Sequence, residues 1–276
     1  MSNFNGNENP SQRLSYSNAA NDECKETLLD VIETEIIPRL LNSQQSFSQI
    51  KQPVQELIIG DPVPEMLAFI EFCVKGDALN VTKIVDKLID QGLRQDRIFL
   101  ELITPAARHL GVLWDKDECS FSDVTCGLAM MHQVTYRLGY GFSDAPMVQG
   151  DTKRVMLSCA PGSQHFLGLT IVADFFRREG ANVVIEISST ESELMRAVAN
   201  EWFDVIGISV AIETQLPQLK KLIANFRKHS GNPHVRILLG GPIFTLQDHT
   251  ADAFGADAIS TDAIEAVALL KSISSE

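Results

Sequence analysis

Two hydrophobic patterns divide the chain, and the first predicts a helical bundle. From residue 64 to residue 140 apolar residues recur every three to four positions, as in amphipathic helices. The predicted helices are Met66–Lys75, Ala78–Gln91, Asp96–Trp114 and Ser122–Leu138. Because their connections are short, we expect them to pack antiparallel as a bundle that caps the rest of the protein.

The second pattern, over residues 151–276, alternates short apolar runs with amphipathic helices. The predicted strands are Val155–Cys159, Val183–Ile187, Val205–Val210, Ile237–Leu239 and Ala258–Ser260. The predicted helices are Leu167–Glu179, Glu191–Trp202, Gln215–His229, Gln247–Phe254 and Asp262–Ser274. Nearly continuous apolar strands indicate a parallel sheet that is covered on both faces. The fold class predicted is therefore α/β with an all-α cap, the α/β part being Rossmann-like (flavodoxin-like) with five strands.

The segments outside these two domains are polar or mixed. Residues 1–21 are rich in Asn and Ser and predict a disordered tail. Residues 22–63 predict one helix, Asp22–Leu41, followed by a connector in which Pro53 and Pro62, with Pro64 directly after it, mark breaks. Gly139–Asp151 is rich in Gly, Pro and Ser, as expected for a linker between the domains.

Composition and charge argue against several classes of function. The chain is 45% hydrophobic and 21% charged, as in globular proteins, and no apolar run approaches the length of a bilayer span. A formal net charge of −13 argues against direct binding to nucleic acid, which requires clustered Lys and Arg. The five cysteines are scattered and form no CxxC pair, which favours a reducing compartment. We therefore expect a cytoplasmic protein that binds neither membranes nor nucleic acid.

Candidate chemistry lies in the loops that follow the first, third and fourth predicted strands. Ligands of open parallel sheets bind at the carboxyl ends of the strands, where the strand order reverses. His165 follows the first strand in a loop that contains neither a GxGxxG nor a GxxxxGK[ST] phosphate motif. From position alone, His165 is either a metal ligand or a loop histidine bonded to a nearby carbonyl.

A family resemblance distinguishes between these two readings. Ser163-x-His165-x-x-Gly168, then Ser209, then Gly240–Gly241 resembles the fingerprint of cobalamin-binding modules, Asp-x-His-x-x-Gly, Ser-x-Leu and Gly-Gly. The resemblance implies that His165 is the lower axial ligand of cobalt and that small residues line a slot for the nucleotide tail. It also implies that Trp114 lies in a helical cap above the corrin. The predicted cofactor-binding residues are Ser163, Gln164, His165, Phe166, Gly168, Ser209, Val210, Gly240, Gly241 and Trp114.

The sequence departs from that fingerprint at several positions. Ser163 replaces the Asp that bonds the far nitrogen of the ligating histidine, and Ala211 replaces the Leu of Ser-x-Leu. In the cap, Val124 and Thr125 stand where light-responsive cobalamin repressors carry Glu-His. Since nothing evident would pack an adenosyl group, the resemblance implies hydroxo- or aquocobalamin as the bound form.

The relaxed fingerprint and the helix segment at 32–41 resemble the PpaA/AerR antirepressor family, whose members are free-standing cobalamin modules that bind a DNA-binding repressor. The resemblance implies a non-enzymatic, light- or redox-responsive antirepressor. Three alternatives stay open. Related modules hold haem, which would make His165 a haem ligand. A corrinoid methyl-transfer shuttle has nearly the same two-domain size. A cofactor-free interaction module would retain the crevice without using it.

Overall fold

The computed structural model describes residues 63–140 and 152–273, except residues 164, 188 and 189. These residues belong to one compact unit, which spans Pro53–Glu276. The predicted tail (1–21), the predicted N-terminal helix and most of the connector and linker lie outside the described residues. None of the helices in the described ranges combines the length and hydropathy that crossing a bilayer would require.

The helical domain follows the predicted pattern. Its helices are α1 (Met66–Val74), α2 (Ala78–Asp90), α3 (Gln95–Ile98), α4 (Thr104–Asp115) and α5 (Phe121–Tyr140). Asp77 caps α2 by accepting a hydrogen bond from the Asn80 amide, at 3.1 Å. The apolar faces of these helices meet in one buried core that includes Phe69, Phe99 and Leu110.

The prediction of one uninterrupted helix over Asp96–Trp114 is wrong in one respect. A π-helical turn, Phe99–Ile103, separates α3 from α4. Pro105 follows this turn, and because proline has no amide hydrogen it cannot donate to the carbonyl of Glu101. That carbonyl accepts from the amide of Val63 instead, at 3.4 Å. The widened turn thus ends beside a carbonyl that the helix itself does not pair.

The α/β domain contains a five-stranded parallel sheet in the order β2-β1-β3-β4-β5, as in flavodoxin-like folds. Its strands are β1 (Arg154–Cys159), β2 (Asn182–Glu186), β3 (Val205–Ser209), β4 (Arg236–Gly240) and β5 (Ala258–Ile259). All four strand pairs are parallel. The predicted fold class is therefore confirmed.

Helices cover both faces of this sheet. They are α6 (Phe166–Arg178), α7 (Glu191–Asn200), α8 (Leu216–His229), α9 (Ile243–Leu246), α10 (Ala251–Phe254) and α11 (Ala263–Ile273). The predicted helix Gln247–Phe254 is confirmed only over Ala251–Phe254, because Gln247 is extended and a separate short helix precedes it. That preceding helix starts directly after Pro242, whose fixed φ suits the start of a helix.

Alternation of side chains sorts the sheet residues into two cores. On one face Val155, Leu157 and Cys159 pack against α6 and α11. On the other face Met156 and Ala160 pack with α7 and α8. Helix α6 also contributes Leu167 and Ile171 to the core of the helical domain. It is therefore shared between the two domains.

Candidate functional site

The candidate site lies where the strand order reverses, between β1 and β3. The register pairs Cys159 with Ser209 and Ser209 with Gly240, so the last residues of three strands are neighbours. The ladder continues one step further, since Ala160 donates to the Ser209 carbonyl and Val210 to the Gly240 carbonyl, each at 2.8 Å. These three strand ends form one rim, as expected for a ligand-binding edge.

Small residues form a row along this rim on the face that α6 and α11 cover. Alternation places Ser209 and Gly240 on the same face as Cys159, and Ser260 lies beside Gly240 at the end of β5. A Cβ added to Gly240 would lie 3.3 Å from the Ser260 hydroxyl oxygen. The sequence analysis predicted Ser209 and Gly240 but missed Cys159 and Ser260 as members of the row. Only the strand register could have revealed them.

His165 lies on the same rim, at the N-cap of α6. Its side chain is exposed to solvent, yet the surrounding protein atoms desolvate the ring and hold the pKa of the imidazole below its ordinary value of 6.5. The neutral imidazole therefore predominates at pH 7, and only the neutral ring can ligate a metal.

Ser163 is placed to orient that ring. Its side chain is only 6% exposed, and its hydroxyl oxygen lies 3.3 Å from Nδ1 of His165. The same oxygen lies 3.4 Å from the His165 backbone amide. With Ser163 at Nδ1, Nε2 is the atom that would ligate a metal. A hydroxyl fixes the ring without supplying the negative charge that an aspartate would bring.

Cys159 supports the loop from beneath. Its thiol lies 3.6 Å from the His165 carbonyl oxygen, to which it donates. Burial raises the pKa of this thiol to about 11, although a hydrogen bond with Ser163 opposes the rise. The thiol is therefore protonated at neutral pH and acts as a buried support for the loop rather than as a nucleophile.

Gly168 is exposed on the first turn of α6, and no heavy atom lies within 4 Å of the position where its Cβ would stand. Packing within the protein therefore does not require a glycine here, and the open space agrees with the close approach of a ligand. Phe166, at the start of the same helix, is half-buried against the sheet. Gln164 lies outside the described residues.

Gly241 has a different reason for being glycine. Its φ is +114°, and a Cβ would lie 2.3 Å from the Val210 carbonyl oxygen. Two strand-end loops therefore cross in direct backbone contact. Val210 itself is fully buried in the core on the opposite face, so it can reach the rim only through its backbone.

Sequence reasoning also missed Gln215. Its side chain is 5% exposed, and its amide oxygen accepts from the backbone amides of Ala211 and Ile212, at 2.9 and 3.3 Å. The loop after Ser209 is thereby held in one conformation. The contact is local, because Gln215 is the third residue after Ile212, the N-cap of a short 3-10 turn, and a glutamine at that spacing is the signal that could have indicated it.

The helical domain approaches the same end of the sheet. Arg108 of α4 is half-buried, and desolvation lowers the pKa of its guanidinium while the Asp262 carboxylate at the start of α11 opposes that shift. Trp114, farther along α4, is half-buried and packs edge-on against Phe121, with ring centroids 6.4 Å apart. The predicted role of Trp114 above a corrin remains a prediction, and Phe121 is an aromatic partner that the sequence analysis did not name.

Among residues 63–140 and 152–273, no group of three or more His, Cys, Asp or Glu side chains could hold a metal ion. A metal bound through His165 would therefore take most of its ligands from a macrocycle, as in corrins and porphyrins. The chemistry of this single-histidine site fits such a cofactor.

A shallow cavity of about 180 Å³ lies away from His165, at the opposite ends of the strands. Arg236 and Asp257 line it. Asp257 pairs with Arg227 and Arg236 and accepts from the Ile237 amide. These contacts stabilise the fold at that end of the sheet, and the candidate site remains the rim around His165.

Comparisons with known proteins match both domains. A B12 binding domain model matches residues 153–270, and a second B12 binding domain model matches residues 68–138. The chain is 29% identical over 160 residues to "Uncharacterized 20.5 kDa protein in bchF-crtJ intergenic region" of Rhodobacter capsulatus, covering 58% of this chain and 83% of the relative.

A solved structure shares the fold. The monomethylamine corrinoid protein of Methanosarcina barkeri superposes with a TM-score of 0.62 at 14% sequence identity, covering 74% of this chain and 95% of that protein. At this identity the likeness concerns the fold alone. The two domain matches show that B12 binding domains span both the helical and the α/β part of the chain.

Proposed function

We propose that this protein binds cobalamin through His165 and acts as a regulator rather than as an enzyme. The observation that carries the proposal is the position of His165, at the N-cap of α6 and beside a rim of small residues, with Ser163 3.3 Å from its Nδ1. This geometry and the match to a B12 binding domain model support the cobalamin-binding part of the proposal.

In this proposal His165 holds the cobalt and Ser163 holds the imidazole. Gly168 leaves space at the start of α6, and Ser209 and Gly240 line the slot for the nucleotide tail. Bound hydroxo- or aquocobalamin would supply cobalt chemistry that responds to light or redox state. The protein's part is to keep bulky side chains out of the slot and to keep the imidazole neutral. The lowered pKa of His165 favours the neutral ring.

The regulatory part of the proposal is that the pigment's state alters the surface seen by a DNA-binding transcriptional repressor. The net charge of −13 favours a protein partner over direct contact with DNA. Similarity to the protein of the bchF-crtJ intergenic region accords with the PpaA/AerR resemblance. Equal affinity for the repressor in light and dark would refute the light version, and equal affinity in both redox states would refute the redox version.

A corrinoid methyl-transfer shuttle is the second candidate, favoured by the likeness in fold to a monomethylamine corrinoid protein. Ser163 counts against it, because a shuttle benefits from a lower ligand tuned by a carboxylate, and a hydroxyl brings no charge. Transfer of a methyl group from a methylated donor to the loaded protein would establish the shuttle and displace the regulatory proposal.

The decisive experiment is an absorption spectrum after incubation with hydroxocobalamin, and separately with haem, followed by desalting. We expect corrin bands to be retained by the wild type, to be lost or shifted in His165→Ala, and to be unchanged in His234→Ala. His234 is an exposed histidine in a loop, so its variant controls for the loss of any imidazole. A Soret band without corrin bands would make this a haem sensor. If neither pigment is retained, the cofactor-free interaction module is the remaining alternative.

A further inference from the structure

Helix α6 begins at the candidate metal-ligating histidine and runs along the contact between the two domains. His165 is its N-cap residue. One stripe of the helix, with Leu169, Ala173 and Phe176, packs on the sheet. A second stripe, which includes Leu167 and Ile171, packs in the core of the helical domain. A displacement at the start of α6 therefore changes the packing in both domains, because a packed helix moves as a rigid body.

The second stripe continues into a buried ion pair. Asp174 and Arg178, one turn apart on α6, have carboxylate and guanidinium groups 2.6 Å apart, and their side chains are only 8% and 16% exposed. The Arg178 guanidinium lies 5.5 Å from the centre of the Phe99 ring, which belongs to the π-helical turn of the helical domain. Phe175 of α6 packs against the same ring, at 6.4 Å between centroids.

The end of α5 also closes on this pair. A Cβ added to Gly139 would lie 3.1 Å from a carboxylate oxygen of Asp174. Burial raises the pKa of Asp174, while Arg178 and Arg177 on the same helix oppose the rise. Both charges lie on α6, so a shift of this helix carries the pair with it, and the Phe99 ring and the end of α5 must follow if the pair is to stay covered.

We propose that α6 transmits the state of the pigment site to the helical domain through the contact of Asp174 and Arg178 with Phe99. A change of coordination at His165 shifts the start of α6. The buried pair then forces the π-helical turn and the end of α5 to follow. The surface of the helical domain thereby changes with the state of the pigment, and a repressor can distinguish the two surfaces. The identity of the pigment in this inference rests on the proposed function, and the coupling rests on the contacts of α6 described above.

Hydrogen exchange of backbone amides, read by mass spectrometry on the full chain, tests the coupling. Arg178→Gln removes the contact, and the double variant Asp174→Leu/Arg178→Met removes it without leaving a buried charge unpaired. Lys75→Gln is the matched control, because Lys75 forms the same type of one-turn ion pair with Glu71 but on an exposed surface. In the ligand-free double variant we expect exchange in 99–103 and at the end of α5 to rise about tenfold or more, with the sheet unchanged.

Hydroxocobalamin supplies the second part of the test. We expect it to change exchange in the helical domain of the wild type and of Lys75→Gln. In the double variant the corrin bands should be retained but that change lost. A retained change in the double variant would overturn the inference. If the wild type retains no pigment, the proposed function fails, and the ligand-free comparison then decides the coupling: unchanged exchange at 99–103 overturns it and a rise supports it.

Discussion

The Ser163 hydroxyl oxygen lies 3.3 Å from Nδ1 of His165, at the position where the cobalamin fingerprint has an aspartate. The hydroxyl orients the ring, and the absence of a carboxylate leaves the imidazole less basic. Ser163→Ala should therefore weaken hydroxocobalamin binding by about 10- to 100-fold. Ser163→Asp should bind hydroxocobalamin with an affinity equal to or above that of the wild type. Spectrophotometric titration measures both. Ser272→Ala, on the exposed side of α11, should bind as the wild type does, and equal affinities for all four proteins would rule out an orienting role.

Gly168 allows stability and binding to be separated. No heavy atom lies within 4 Å of its Cβ position, and alanine is the better helix former, so Gly168→Ala should raise the free energy of unfolding by about 0.5–1 kcal/mol. Gly168→Leu should also fold but lose hydroxocobalamin, because its side chain fills the space left for the tail. Urea denaturation and pigment retention after desalting measure the two effects. Wild-type retention by Gly168→Leu would show that the ligand does not pass here.

Gly241 should be sensitive for a reason internal to the protein. Alanine at this position would bring its Cβ to 2.3 Å from the Val210 carbonyl oxygen at a φ of +114°. Gly241→Ala should therefore lower the free energy of unfolding by about 2–4 kcal/mol, measured by urea denaturation without pigment. Gly240→Ala should cost less, because its nearest neighbour would be the Ser260 hydroxyl at 3.3 Å. Equal costs at both positions would contradict the backbone-contact explanation.

Asp257 should make the stability of the α/β domain depend on pH. Burial opposes its ionisation, but the Ile237 amide, Arg227 and Arg236 outweigh burial and hold the pKa of the carboxyl below its ordinary 3.8. A depressed folded-state pKa contributes stability above pH 3.8 that is lost as the pH falls through the folded value. Asp257→Asn should therefore cost about 2 kcal/mol at pH 7 and progressively less below pH 3.8.

The control for Asp257 is Asp86→Asn, which removes an exposed ion pair with Arg137. It should change the free energy of unfolding by less than about 0.5 kcal/mol at pH 7. A cost for Asp257→Asn that stayed constant from pH 7 to pH 3 would contradict the assigned shift.

The sequence by itself determined the elements and their class. The period of the apolar residues distinguished the helical domain from the α/β domain, and the run after β1 indicated His165, because these signals depend only on neighbours along the chain. It failed where a backbone group has a partner that the hydrophobic pattern does not indicate. The π-helical turn adjoins Pro105 and a bond from the distant Val63 to Glu101, and the loop after β3 is held by the side chain of the nearby Gln215.

Tertiary structure alone decided which residues meet. Strand register put Cys159 and Ser260 in the row with Ser209 and Gly240, although these residues are up to about a hundred positions apart in the sequence. It also gave Gly168 and Gly241, both part of one sequence fingerprint, different physical reasons: open space at the first, and the Val210 backbone at the second. The pairing of α6 with the π-helical turn was equally hidden, because a contact between Arg178 and Phe99 exists only once both domains have packed.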